Sequence, residues 1–203
     1  MDHTINNIQL RTFEKLSWVN PKQALINLRY IELNLPLELD EKAKRLRTNN
    51  LKVWREARDA ALFTYGMSQT ILNTSVLFSN VEDSDYDFVM KWVKDEKIFY
   101  YPVQLKELPP DDLNSKVQIE NIIDKLKKYS GEGNLAVAIN INRKLKSFNL
   151  LQSLETNKLK IKELWYFGCK SPDQSKWFLY GNLLKDNPLN VEFQYPEGEH
   201  NLT

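Results

Sequence analysis

The sequence predicts an α/β fold built on a mixed β-sheet flanked by helices, and three observations carry that prediction. Two neighbouring segments, YDFVMKWV (86–93) and IFYYPVQLKEL (98–108), are dense in aromatic and β-branched residues. The polar stretch Lys94-Asp95-Glu96-Lys97 joins them, which is the composition of a β-hairpin. A helical segment and then a short apolar run, NLAVAINI (134–141), follow. That helix makes a crossover, so the strands on either side of it run parallel while the hairpin is antiparallel.

Taken in order, residues 10 to 34 read as helical: Asn20 caps Pro21, and Ala24, Leu25, Leu28 and Ile31 recur at helical spacing. Pro36 interrupts. A longer helical segment spans about Asp40 to Tyr65, with a break near Thr48-Asn49-Asn50 and Gly66 as its stop. Its second half puts Val53, Glu56, Ala60 and Phe63 along one stripe, so Glu56 is a carboxylate on a partly apolar face. Beside Arg55 and Arg58 on a helix, the commoner reading of such a carboxylate is a solvated pair. Thr70 to Phe78 is a short helix or strand. After the hairpin, Ser115 and Gln118 have the form of a capping box opening a helix through Val117, Ile122, Ile123, Leu126 and Tyr129. Ser130-Gly131-Glu132-Gly133 ends it. KELWYFGC (162–169) and KWFLYGNL (176–183) read as two further strands, and the tail with Pro188, Pro196 and Gly198 as loose. The expected division is a helical extension over 1–40, an α/β domain over 41–185 and a loose tail over 186–203.

Composition excludes more than it assigns. The chain has 203 residues with 28 basic and 27 acidic side chains, so net charge announces neither nucleic acid nor a membrane. The distribution is less even. Glu82, Asp83, Asp85, Asp87, Asp95 and Glu96 crowd one stretch, while Arg143, Lys144, Lys146, Lys158, Lys160 and Lys162 crowd another. A cation site beside a polyanion groove would look like this, and so would two solvated faces. Cys169 is the only cysteine, so no intramolecular disulfide forms. MDHTINNIQL lacks the pattern of a signal peptide and no apolar run approaches a membrane span, which predicts a cytoplasmic protein. His3 and His200 lie near the chain ends, poor places for an imidazole that must be held rigidly in a triad or a zinc site. No GxGxxG or GxxxxGK phosphate cradle is present. Chemistry must therefore come from carboxylates, lysines, amides and hydroxyls, which suits an oxygen-ligated cation such as Mg²⁺ or a carboxyl pair.

Strand alternation picks out the candidates. Asp85, Asp87, Val89 and Lys91 share one face of the first hairpin strand, and Gln104 and Lys106 share one face of the second. Alone, YPVQLKEL (101–108) is an edge strand with one wet face. Paired in the hairpin, Asp87 can share a face with Gln104 and Lys106. Phosphodiester hydrolysis uses such a set: carboxylate oxygens for a cation, and a lysine for the attacking water and the developing negative charge.

Asp87-Phe88-Val89 followed by Gln104-Leu105-Lys106 resembles the PD-(D/E)xK nuclease superfamily, in its Gln-x-Lys variant. The resemblance covers residues 50 to 145. It implies a restriction-endonuclease-like three-layer core and a metal-dependent endonuclease of DNA. Asp87 and Gln104 would be metal ligands, Glu56 a further ligand from the preceding helix, Lys106 the catalytic lysine and Gln118 a minor addition. Mg²⁺ or Mn²⁺ is the implied cofactor and DNA the implied partner, with no membrane and a homodimer as the candidate assembly. Asp83 and Asp85 are alternatives to Asp87, although only Asp87 leads directly into the apolar stretch. Gln in place of the usual Glu or Asp supplies an oxygen but no charge. That departure keeps a second reading open, a nuclease-like fold that binds without turnover. An unrelated α/β interaction domain is the third.

Overall fold

A computed structural model describes residues 7–36, 38–40, 43, 46–48, 51–81, 85–127, 135–143 and 159–198. Two N-terminal helices, α1 (Asn7–Glu14) and α2 (Pro21–Leu33), precede α3 (Lys52–Met67), which runs on into a π-helical turn over Ser68–Leu72. Then come strands β1 (Val76–Asn80), β2 (Phe88–Lys94) and β3 (Lys97–Leu108), the short helix α4 (Asp111–Asn114), α5 (Ile119–Leu126) and β4 (Ala136–Ile141). Three strands complete the chain: β5 (Glu163–Cys169), β6 (Lys176–Gly181) and β7 (Leu189–Gln194). All seven form one mixed sheet in sequential order. The pairs β1–β2 and β2–β3 are antiparallel, β3–β4 and β4–β5 parallel, β5–β6 and β6–β7 antiparallel. No described helix is long and apolar enough to cross a membrane.

The expected hairpin is present, with Lys94 opposite Lys97 and both turn residues, Asp95 and Glu96, at positive φ. The crossover also holds: α5 lies between the parallel strands β3 and β4. Alternation then sorts β3 between two cores. Tyr101, Val103 and Leu105 pack with Phe63 and Leu62 of α3 and Leu25 of α2. On the opposite face Leu108 joins Ile119, Ile122, Ile123 and Leu126 of α5 together with Val137 and Ile139 of β4. Further back on that same face Tyr100 and Val89 are covered by Phe13 of α1. Gln104 and Lys106 lie between those coverings, with Tyr100 behind them and Leu108 ahead.

Four expectations are corrected. The segment 10–34 is two helices, α1 and α2, parted where Val19 makes an isolated bridge to Phe78 of β1. Gly66 does not stop α3. A Cβ there would come within 2.6 Å of the Phe193 ring, so the glycine instead lets β6 and β7 close onto the helix. Helix α5 begins three residues later than the Ser115 capping box implied: Gln118 is its N-cap, and the Asn121 carboxamide oxygen accepts from the Gln118 N–H at 2.8 Å. Finally, Leu189–Gln194 is strand β7 rather than loose tail, and the Tyr195 hydroxyl donates to the Leu25 carbonyl at 2.8 Å. The turn expected at 130–133 lies outside the described residues.

Candidate active site

Asp87 stands one residue ahead of β2, held by backbone on both sides. Its N–H donates to the Val103 carbonyl at 2.9 Å, and its carbonyl accepts from the Val81 N–H at 3.0 Å. Pairing of β2 with β3 ends at Phe88–Val103, which leaves the Leu105 N–H without a strand partner. The Asp87 carboxylate takes that place: Oδ2 accepts from Leu105 N at 2.6 Å and also from the Gln104 Nε2. Gln104 is 6% exposed, and a carboxamide that buried needs a polar partner. Lys106 is the next residue on that face, half-buried and about 7 Å farther along the strand by the rise of two residues. Asp87 and Gln104 therefore meet, and Lys106 shares their face.

Other candidates stand elsewhere. Glu56 belongs to α3, which packs against the opposite face of the sheet, and its carboxylate pairs with Lys52 at 3.4 Å with 39% of its side chain exposed. It is not brought to Asp87. Gln118 is exposed and serves as the α5 cap, its Nε2 donating to the Ser115 carbonyl at 2.9 Å. Asp85 is exposed, two residues before Asp87, and Asp83 lies outside the described residues. Of the basic stretch, Lys144, Lys146 and Lys158 also lie outside them. Arg143 is committed to the loop after β3, donating to Pro109 and Asn114 carbonyls and pairing with Asp111 at 2.8 Å.

The donor set can be matched to a cation. Among the described residues no three His, Cys, Asp or Glu side chains group to hold a metal. The protein would supply one carboxylate from Asp87 and, with the carboxamide turned over, one oxygen from Gln104. That fits Mg²⁺ or Mn²⁺, which keep waters and take substrate phosphate oxygens, and does not fit a closed zinc cage.

A denser polar cluster lies on the other face of β3 and was not read from the sequence. Glu107 accepts a two-pronged pair of hydrogen bonds from Arg47 at 2.8 and 2.5 Å, another from Asn142 at 2.9 Å, and faces Arg55 at 3.9 Å. Burial alone would raise the Glu107 pKa, but the hydrogen bonds from Arg47 and Asn142 and the nearby guanidinium charges bring it below the usual value. Asp59, beside it on α3, goes the other way. Burial pushes its carboxyl up against the opposing pull of Arg58 and Asn140. Arg58 also meets Glu32 of α2 at 3.4 Å. The readable signal was Asn140, an amide inside the apolar strand AVAINI that is only 3% exposed and needs a buried polar neighbour.

No protein-family model, curated protein or solved structure matches this chain.

Proposed function

We propose that the protein is a metal-dependent nuclease that hydrolyses phosphodiester bonds of DNA, of the restriction, repair or mobile-element kind. The observation that carries the reading is the Asp87 carboxylate bound to the Gln104 carboxamide across β2 and β3, with Lys106 next on the same face. The setting supports it: helix α3, strands β1 to β3, crossover helix α5 and strand β4 follow one another in the order of the PD-(D/E)xK core that the motif resembles. Asp87 and Lys106 are half-buried at this corner, so both keep some exposed surface.

In this reading Asp87 and Gln104 hold the cation, and Glu56 is left out because it sits across the sheet. A bound Mg²⁺ would polarise the scissile phosphate and lower the pKa of a coordinated water. Lys106 positions the attacking water and balances negative charge as it develops on the phosphoryl oxygens. Tyr100 and Leu108, packed under α1 and α5, keep β3 rigid on either side of the working residues. Gln104 lowers the site's negative charge relative to a Glu-x-Lys pair, so weak metal binding is expected.

One observation favours a second reading, a binding module that keeps this fold without turnover. The Asp87 Oδ2 already receives two protein donors, Leu105 N and Gln104 Nε2, which is how a carboxylate used only to brace a strand end would look.

Incubation of the purified chain with plasmid and with single-stranded DNA, in Mg²⁺ or Mn²⁺, separates the two. Cleavage by the parent protein, lost in Asp87→Ala and in Lys106→Ala, supports the nuclease. Equal cleavage by all three would expose a contaminant, and silence across both substrates would favour the binding module.

A further inference from the structure

Strands β3, β4 and β5 run parallel and end together at Leu108, Ile141 and Cys169. A cavity of about 540 Å³ lies there, between those ends and helices α2 and α3. That volume is within the usual range of small-ligand sites.

Its walls are chemically divided. Among the described residues, Arg29, Arg47 and Arg58 line it against one carboxylate, Glu32. Arg47 gives two hydrogen bonds to Glu107, but Arg29 and Arg58 are not so well matched. They share Glu32 at 3.5 and 3.4 Å, and Arg58 Nε is buried without a hydrogen-bond partner, 3.7 Å from Asp59. Arg29 spends one other contact on the Gln174 carbonyl at 3.4 Å and rests over the Tyr195 ring. Among the described residues, and counting those behind the wall, Arg29, Arg47, Arg55 and Arg58 face Glu32, Asp59 and Glu107, four cations to three carboxyls. The cavity is also lined by Leu35, by the buried Trp177 and by Leu33, which is 68% exposed.

We infer that this cavity binds a phosphate monoester of nucleotide size, with its phosphate competing with Glu32 for the Arg29 and Arg58 guanidiniums and its ring against Leu35 and Trp177. A monoester carries close to two negative charges at neutral pH and accepts from forked guanidiniums, which answers both the charge excess and the under-used donors. The apolar wall suits a heterocycle better than a bare inorganic ion. The site shares no residue with Asp87, Gln104 and Lys106 and stands whether or not they cleave DNA.

Calorimetric titration of the full chain, without divalent cation, tests it. The probes are deoxyadenosine 5′-monophosphate, deoxyadenosine, and a short single-stranded oligonucleotide with and without a 5′-phosphate. Saturable binding of a phosphorylated probe, weakened roughly tenfold or more in Arg29→Gln, is expected. Binding of the mononucleotide alone identifies a free nucleotide as the ligand, and binding of the 5′-phosphorylated oligonucleotide identifies a chain end. Arg29 sits at the rim with 24% of its side chain exposed, so this variant should keep the fold even where Arg58→Gln does not, and a thermal melt checks it. The inference is overturned by absence of binding for every phosphorylated probe up to about 10 mM. Equal binding of the unphosphorylated probes, or unchanged binding in Arg29→Gln, overturns it as well.

Discussion

Neighbouring residues of one strand serve opposite sides of the molecule in different ways. Gln104 and Lys106 look out on the α1 and α5 side, where Asp87 is the carboxylate that meets Gln104. Glu107, one residue on, looks into the α3 side and is gripped by Arg47, Arg55 and Asn142. The first corner is built from two adjoining strands, and a short motif can describe it. The second is crowded, and its members come from α2, α3, β3, the end of β4 and the segment before α3. Ion pairs that deep hold their geometry only while every partner is present. The comparison separates a place whose loss should damage chemistry from one whose loss should damage the fold.

The largest effect should follow from stranding the arginines. Glu107→Leu leaves Arg47 and Arg55 without their carboxylate and should cost about 3–5 kcal/mol of stability, read by urea unfolding. A change below about 1 kcal/mol would mean that solvent screens the cluster. Next comes the first corner: Lys106→Ala should lower the DNA cleavage rate by about a hundredfold or more while leaving the urea midpoint close to that of the parent. A large fall in the midpoint would move Lys106 from chemistry to structure.

The two carboxyls of the crowded side should respond to pH with opposite signs. Glu107 titrates in the folded chain below its ordinary 4.5. Its contribution is present above that value and is lost as pH falls through the lowered one. The stability advantage of the parent over Glu107→Gln should therefore shrink on acidification. Asp59 titrates above its ordinary 3.8, so folding becomes costlier as pH rises from 3.8 towards the raised value and then levels off. Asp59→Asn should gain on the parent across that rise, visible in melting curves between about pH 3 and 7. Parallel curves for parent and variant would remove Asp59 from the account. The smallest effect belongs to Glu56→Ala. Losing one exposed i,i+4 pair with Lys52 should cost no more than about 0.5 kcal/mol and leave cleavage unaltered. A cleavage defect there would bring Glu56 back into the site.

What could be read from the sequence was whatever alternation or covalent order determines. The hairpin, the parallel crossover and the common face of Asp87, Gln104 and Lys106 all follow from period-two patterning with one turn and one intervening helix. What failed depended on packing between distant elements. Gly66 has the look of a helix stop, but its reason lies in the Phe193 ring of β7. The Val53–Phe63 stripe correctly puts Ala60 and Phe63 in the core, yet the first turn of α3 leaves Val53 65% exposed and Glu56 wet. Strand β7 was hidden by its flanking prolines, which set local expectation without knowledge of β6 beside it. Asp59, Glu107 and Asn140 come from three separate segments, and no spacing rule joins them.

The claim at the centre of this account is that Asp87 and Gln104 together form a cation site. Manganese titration followed by electron paramagnetic resonance tests it without reference to DNA, using the parent chain, Asp87→Asn and Gln104→Glu. One weak site is expected in the parent, its loss in Asp87→Asn, and binding roughly tenfold or more tighter in Gln104→Glu, where a charged oxygen replaces a neutral one. Manganese binding that is absent from all three proteins, or equal in all three, would contradict it.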